Sequence, residues 1–275
     1  MFDVLVHASN YREPTHGMRY AADVAKAFDS SLTALFVSEP IMPVAPIGMM
    51  PMAPEFYTIA AQAASEAMKS EAAFRAWASS RGVTRFKWQV ATGFFTGALA
   101  SAANWHDVLV LESGPKSPWA SVGTLGNVLV SCGLPCLVVP EDFHGSARFE
   151  SVAIASHGSP EAIRATHAAL PLLKRARRVV LLKGGVREAF HPASFSPEFT
   201  VEEHLQQHDV QFSVRNLEAA GDVEVSSEIL QAAGEMSADV LVMGAYGRTR
   251  FSEWVLGGVT HHALENARLP LFMRH

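Results

Sequence analysis

The sequence predicts an α/β protein made of two tandem, doubly wound domains, each with a five-stranded parallel sheet. Its length of 275 residues suits two domains, because single domains commonly run to about 100–200 residues. Short β-branched runs alternate with longer helical patterns, and this alternation implies right-handed crossovers on a parallel sheet. Landmarks of the first half recur roughly 130–150 residues later, which indicates an internal duplication.

Each half opens with the same order of elements. A short β-branched run is followed by a polar turn, a helical pattern and a second strand. The corresponding segments are Phe2–Val6 and Ser151–Ala155, Thr15–Phe28 and Pro160–Arg175, and Ser31–Val37 and Arg178–Leu182.

Later landmarks repeat as well. Asp107-Val108-Leu109-Val110 recurs as Asp239-Val240-Leu241-Val242, and Leu134-Pro135 recurs as Leu269-Pro270. We therefore predict two domains, at residues 1–144 and 147–275, that pack against one another as a pseudo-dimer.

Charge and composition argue against several classes of protein. A formal net charge of -5 provides no basic field for nucleic acid. The longest apolar stretch, Pro40 to Pro54, is interrupted by prolines, whereas a membrane helix needs about 20 mostly apolar residues. The N-terminus shows no export signal. We expect a cytoplasmic protein without nucleic-acid or membrane partners, and we interpret Cys132 and Cys136 as reduced structural thiols.

A glycine-rich loop carries the clearest functional signal. Val240–Met243 leads into a segment with glycines at 244, 247, 257 and 258, followed by Thr260. Glycines let the backbone approach a ligand closely, and the N-terminus of the following helix favours phosphate. The alternative, a plain strand-to-helix connection, explains one or two of these glycines but not two clusters.

The pattern Gly-x2-Gly-x9-Gly, between an Asp-initiated strand and a helix ending at Leu-Pro, resembles the ATP-binding signature of the universal stress protein family. The resemblance implies a Rossmann-like domain that holds ATP or AMP, with or without Mg²⁺. It also implies that the last strands, Cys136–Val139 and Leu271–Met273, lie at the contact between the halves. The implied nucleotide-binding residues are Ala155 and His157 at the end of the first strand, Met243 and Gly244 beside the nucleoside, and Gly247, Gly257, Gly258, Val259 and Thr260 along the phosphates.

Two positions depart from the family pattern. Gly258 stands where the family has Ser or Thr, which removes a hydroxyl but keeps the backbone donor. His157 stands where the family has Asp near the ribose, and an imidazole cannot accept two ribose hydroxyl bonds as a carboxylate does. We expect an altered or pH-dependent affinity, with a solvated turn residue as the alternative for His157.

The first half retains little of the signature. Only Gly114 and the Gly123-Thr124 step match it, Glu112 directs negative charge toward a phosphate, and Pro115 and Pro118 remove backbone donors. We predict that this domain is degenerate and that the nucleotide binds in the second half.

No recognisable spacing indicates a catalytic pair or a set of metal ligands. His204 and His208 lie four residues apart, but no third ligand is evident, so we interpret them as surface histidines. We therefore expect a nucleotide-dependent regulator in stress response, with at most slow ATP hydrolysis, and homodimerisation stays open. The alternatives are a structural scaffold with an empty loop and a weak ATPase, flavoprotein-like enzyme or transferase on the same fold.

Overall fold

The computed structural model describes residues 3–40, 54–115, 117, 119, 121–184, 199–219, 221–245 and 257–275. Its contacts divide the chain into two compact units. Unit 1 comprises Met1–Glu112 and His144–Ala147, and unit 2 comprises Ser113–Phe143 and Arg148–His275.

Unit 1 contains a parallel sheet with the strand order β3-β2-β1-β4. Helices follow or connect its strands as the alternating pattern predicts. Its elements are β1 (Asp3–His7), α1 (His16–Ala27), β2 (Ser31–Ser38), α2 (Pro54–Lys69), α3 (Glu71–Ser80), β3 (Phe86–Thr92), α4 (Phe95–Ala103) and β4 (Val108–Ser113), the last of which ends at the boundary between the units.

Unit 2 contains a mostly parallel sheet with the order β5-β10-β9-β6-β7-β8, in which only the β5–β10 pair is antiparallel. Its elements are α5 (Val122–Cys132), β5 (Cys136–Pro140), β6 (Ser151–Ser156), α6 (Pro160–Leu173), β7 (Arg178–Lys183), α7 (Val201–Gln207), β8 (Ser213–Asn216), α8 (Asp222–Glu235), β9 (Val240–Gly244), α9 (Gly258–Asn266) and β10 (Leu271–Arg274). The predicted α/β fold with a duplicated order of elements is confirmed.

The last strands of the two sequence halves pair with each other. Leu271 lies opposite Val138, and Met273 lies opposite Cys136. Because β5 pairs with β10, Ser113–Phe143 belongs to unit 2 together with the second half of the sequence. This division differs from the bounds 1–144 and 147–275, which stay a prediction.

The duplicated aspartates have a structural role at the start of each first strand. Asp107 Oδ2 accepts a hydrogen bond from the Asp3 N–H at 2.8 Å. Asp239 Oδ2 accepts hydrogen bonds from the N–H groups of Glu150 and Ser151, each at 2.9 Å. These bonds satisfy backbone donors at the edge of the sheet opposite the carboxyl ends of the strands.

Hydrophobic runs explain why the central strands form. β1, β4, β6 and β9 are buried along nearly their whole length, as expected for parallel strands covered on both faces, whereas β8 is exposed. Helices α1 and α6 begin where the Thr15 and Ser159 hydroxyls accept N–H bonds from Met18 and Ala162. Among the described residues, no helix combines the length and the apolar character needed to cross a bilayer.

Both cysteines are buried and form no disulfide. Burial raises the pKa of the Cys132 thiol to about 11. Burial, together with the neighbouring Cys132, raises the pKa of Cys136 well above its ordinary value. Such thiols carry little thiolate near neutral pH, which agrees with a structural role.

Candidate functional site

A cavity of about 490 Å³ lies at the carboxyl ends of β6, β7 and β9 in unit 2. Ligands of open α/β sheets bind at this edge. Eight of the nine residues predicted from the sequence line it, and the ninth, Gly247, lies outside the described residues. The eight are Ala155, His157, Met243, Gly244, Gly257, Gly258, Val259 and Thr260.

Three helices begin at this cavity. Ser159 and Glu161 of α6, Asp222 of α8 and Gly257 of α9 all contribute to its lining. The N-terminus of a helix carries partial positive charge and N–H groups without partners inside the helix, so three of them favour an anion. The three differ in their first turns, because α6 and α8 carry acidic residues there and α9 carries none.

The start of α9 is the best candidate for a phosphate cradle. Gly257 is its N-cap and supplies no side-chain capping bond. The His261 N–H makes a hydrogen bond to the Gly257 carbonyl at 3.0 Å, so the N–H groups of Gly258 and Val259 precede the first hydrogen bond of the helix. A Cβ added at Gly257 would meet nothing within 4 Å among the residues that the structure describes. Those residues therefore leave space for a ligand beside the Gly257 backbone.

Two other predicted glycines are explained by packing inside the protein. A Cβ on Gly244 would lie 2.6 Å from the Ala162 nitrogen, at the first turn of α6. A Cβ on Gly258 would lie 2.8 Å from the Asp222 Cβ, at the first turn of α8. Only glycine fits both places, because real Cβ atoms do not approach so closely. The close approach of Asp222 also gives a physical reason for the missing hydroxyl at position 258.

Glu161 is the most consequential lining residue that the sequence reading missed. It is 5% exposed, and its Oε2 atom has no hydrogen-bond partner among the described residues. A buried carboxylate in the wall repels an anionic ligand and attracts a donor. Its position in the first turn of the helix that follows the first strand of this half could have indicated that it lies near the carboxyl ends of the strands.

One wall of the cavity is apolar and was also missed. It is formed by side chains that no sequence motif marks, namely Leu182, Leu217, Val225 and Ile229, beside the predicted Met243. Glu228 fixes part of this wall, because its carboxylate accepts hydrogen bonds from the N–H groups of Glu218 and Ala219 at 2.9–3.2 Å. An apolar wall beside polar helix starts suits a flat ring that carries a charged group.

His157 lines the same cavity and is exposed. It follows β6 directly and precedes Gly158, whose φ of 82° makes the tight turn into α6. Its imidazole can therefore contact a ligand from the solvent side of the cavity.

The corresponding place in unit 1 is filled by a side chain of the protein. Glu112 follows Asp107 by five residues, as Gly244 follows Asp239, and it is buried. Its carboxylate accepts hydrogen bonds from the Gly17 N–H at 2.7 Å and from the Ser9 hydroxyl at 2.9 Å, and His16 Nδ1 lies 3.5 Å away. The first turn of α1 is thus already occupied by the carboxylate of Glu112.

The glycine loop of the first half is also altered. Gly123 and Thr124 fall inside α5, whose N-cap Ser121 accepts a hydrogen bond from the Thr124 N–H at 3.2 Å. A Cβ on Gly114, whose φ is 139°, would lie 2.6 Å from Glu141. Pro118 lies outside the described residues. These features give α5 a side-chain cap that α9 lacks.

Comparison with known proteins identifies a family for the second half. Residues 148–274 match the model described as Universal stress protein family. No curated protein matches the chain.

Solved structures of similar fold cover almost the whole chain. A universal stress protein from Archaeoglobus fulgidus DSM 4304 has a TM-score of 0.68 at 14% identity, covering 98% of this chain and 97% of its own. A putative universal stress protein from Pseudomonas aeruginosa UCBPP-PA14 has a TM-score of 0.54 at 13% identity, covering 99% and 93%. A universal stress protein in complex with cAMP covers 51% of this chain and 98% of its own at 20% identity, and its TM-score of 0.33 is too low to relate the sites.

Proposed function

We propose that the chain, whose residues 148–274 match the model of the universal stress protein family, binds an adenine nucleotide, ATP or AMP, in the cavity of unit 2. The protein then acts as a nucleotide-dependent regulator in stress response. A cytoplasmic location stays part of this proposal.

The observation that carries the proposal is the start of α9 at the cavity. Of the three helix starts that the described residues place there, it alone has no acidic residue in its own first turn. The phosphate therefore goes to the N–H groups of Gly258 and Val259, where the helix dipole favours it. The base lies against the apolar wall formed by Leu182, Leu217 and Met243.

The carboxylates of the cavity influence which nucleotide is favoured. Glu161, Glu218 and Asp222 all line it, and repulsion grows with the number of phosphates. Repulsion from these carboxylates therefore favours AMP over ATP.

The proposal also restricts binding to one half. The carboxylate of Glu112 satisfies the start of α1, and Ser121 caps α5. In both cases a side chain of the protein already accepts a backbone N–H hydrogen bond that the phosphate of a ligand would need. At the proposed site the described residues offer no paired nucleophile and base, so efficient hydrolysis is not expected.

Substitution of Gly257 tests the proposal. Gly257→Val adds bulk at a cavity-lining position where a Cβ meets none of the described residues within 4 Å, so we expect the protein to fold and the space for the phosphate to be filled. Gly234→Val is the matched control, because Gly234 lies near the end of α8 with equally open space and does not line the cavity. Calorimetric titration with ATP and AMP should show binding to the wild type and to Gly234→Val, and none to Gly257→Val.

Two results would contradict the proposal. Equal nucleotide affinities in Gly257→Val and Gly234→Val would mean that the nucleotide does not bind at the start of α9. A wild-type protein that binds neither nucleotide and gains no thermal stability from them would instead favour a scaffold with an empty cavity.

A further inference from the structure

Three histidines come together on the surface of unit 2, away from the nucleotide cavity. His204 and His208 lie four residues apart at α7 and its C-cap, and His167 reaches them from α6. One nitrogen from each of the three imidazoles lies within 4.8 Å of the others. The ring centroids of His167 and His204 are 5.2 Å apart, and those of His204 and His208 are 4.7 Å apart. His167 is the third member of the cluster, and the sequence alone did not place it beside the other two.

The geometry is close to that of a metal centre. In a tetrahedral zinc site with Zn–N distances of about 2.0–2.1 Å, ligand nitrogens lie about 3.3 Å from one another. The nitrogens, which lie within 4.8 Å of one another, would have to move closer to reach that value when an ion binds. Helical histidines at i and i+4 with a third from a neighbouring element form a common trigonal base for such an ion.

A second observation at the same place also indicates a ligand. His204 Nε2 is buried and has no hydrogen-bond partner among the described residues. A buried nitrogen without a partner costs free energy, and a metal ion would satisfy it.

The surroundings leave a coordination position for a small ligand. A cavity of about 200 Å³, lined by His204, Thr166 and Glu203 among others, lies beside the cluster. Glu203 is engaged in the capping box of α7, where its carboxylate accepts the Thr200 N–H. Water is therefore the simplest fourth ligand.

We propose that His167, His204 and His208 bind one Zn²⁺ ion through their imidazole nitrogens. The ion joins α6 to α7 and is independent of the nucleotide site. Three imidazoles with an open fourth position suit Zn²⁺, and Cu²⁺ or Ni²⁺ would compete according to their general affinity for nitrogen ligands.

The test uses the untagged full-length chain, freed of metal with a chelator and titrated with Zn²⁺ by calorimetry. We expect one ion per chain and a loss of affinity of at least about tenfold in His167→Gln and in His208→Gln, because even a residue that only orients a ligand contributes that much. His167 is exposed, so its substitution leaves the fold intact. Zn²⁺ should also raise the melting temperature of the wild type and not that of His167→Gln.

His144→Gln is the matched control, since His144 is an exposed histidine outside the cluster. It should bind Zn²⁺ as the wild type does, as should Gly257→Val. The proposal is overturned if Zn²⁺ binds the wild type and His167→Gln equally, or if His144→Gln loses as much affinity as the cluster variants.

Discussion

Glu112 Oε1 accepts a hydrogen bond of 2.7 Å from the Gly17 N–H. A carboxylate at the end of β4 thus binds a backbone N–H group in the first turn of α1. The second half has the reverse arrangement at the corresponding positions. There the strand carries Gly244, and Glu161 is the second residue of α6, as Gly17 is of α1. Each pair thus contains one glycine and one glutamate, in exchanged places.

Gly17→Ala should destabilise the protein. An added Cβ would lie 2.5 Å from Glu112 Cγ, and relieving such overlap typically costs about 1–3 kcal/mol. The matched control is Gly97→Ala in α4. There the added Cβ meets no described residue within 4 Å, and replacing glycine in a helix gains up to about 1 kcal/mol. Urea unfolding should shift the two midpoints in opposite directions, and a shift in the same direction would contradict this account.

Glu161→Gln should tighten AMP binding. Removing one negative charge about 10 Å from a phosphate, at an effective dielectric constant of about 20, is worth about 1–2 kcal/mol, or about tenfold in affinity. Adenosine, which has no phosphate, should show little change, and Glu150→Gln at the opposite end of β6 should change neither ligand. An equal gain for adenosine and AMP would rule out the electrostatic explanation.

His157 should make nucleotide binding depend on pH. A phosphate in the same cavity favours the protonated imidazole, so affinity should rise as pH falls through the range in which imidazole gains a proton. His157→Asp should remove this gain and tighten binding near neutral pH if the carboxylate accepts ribose hydroxyl bonds. Titrations with ATP between about pH 5.5 and 8.5 bracket the ordinary His value. Identical affinities that do not vary with pH would leave His157 as a solvated turn residue.

His7 should make the stability of unit 1 depend on pH. Burial lowers its pKa from 6.5 to about 4, so the native state holds the imidazole neutral while the unfolded chain protonates it below pH 6.5. The stabilisation is present above pH 6.5 and is lost as pH falls toward 4. Each pH unit in this window costs about 1.4 kcal/mol, so the loss approaches about 3 kcal/mol.

Urea unfolding at several values between pH 7 and 4 measures this loss. His7→Leu should show a shallower dependence on pH than the wild type, and His144→Leu should follow the wild type. Equal slopes for His7→Leu and the wild type would mean that other groups carry the acid sensitivity.

The order of elements and eight of the residues that line the cavity could be predicted from the sequence, because both depend on local patterns. Hydrophobic runs define the strands, and the glycines of the loop keep a fixed spacing from Asp239. Glu161 and His167 could not be found in this way, since their roles arise from contacts with distant segments. The reason why position 258 is glycine could not be found from the sequence either. A side chain there would clash with Asp222, which belongs to a helix distant in sequence.

The hydrogen bond between Glu112 and Gly17 limits how the first half can evolve. Replacing Glu112 alone leaves the Gly17 N–H and the Ser9 hydroxyl without their acceptor, while replacing Gly17 alone introduces a clash. The cost of changing either residue therefore depends on which residue stands at the other position, and the effects of the two substitutions should not simply add.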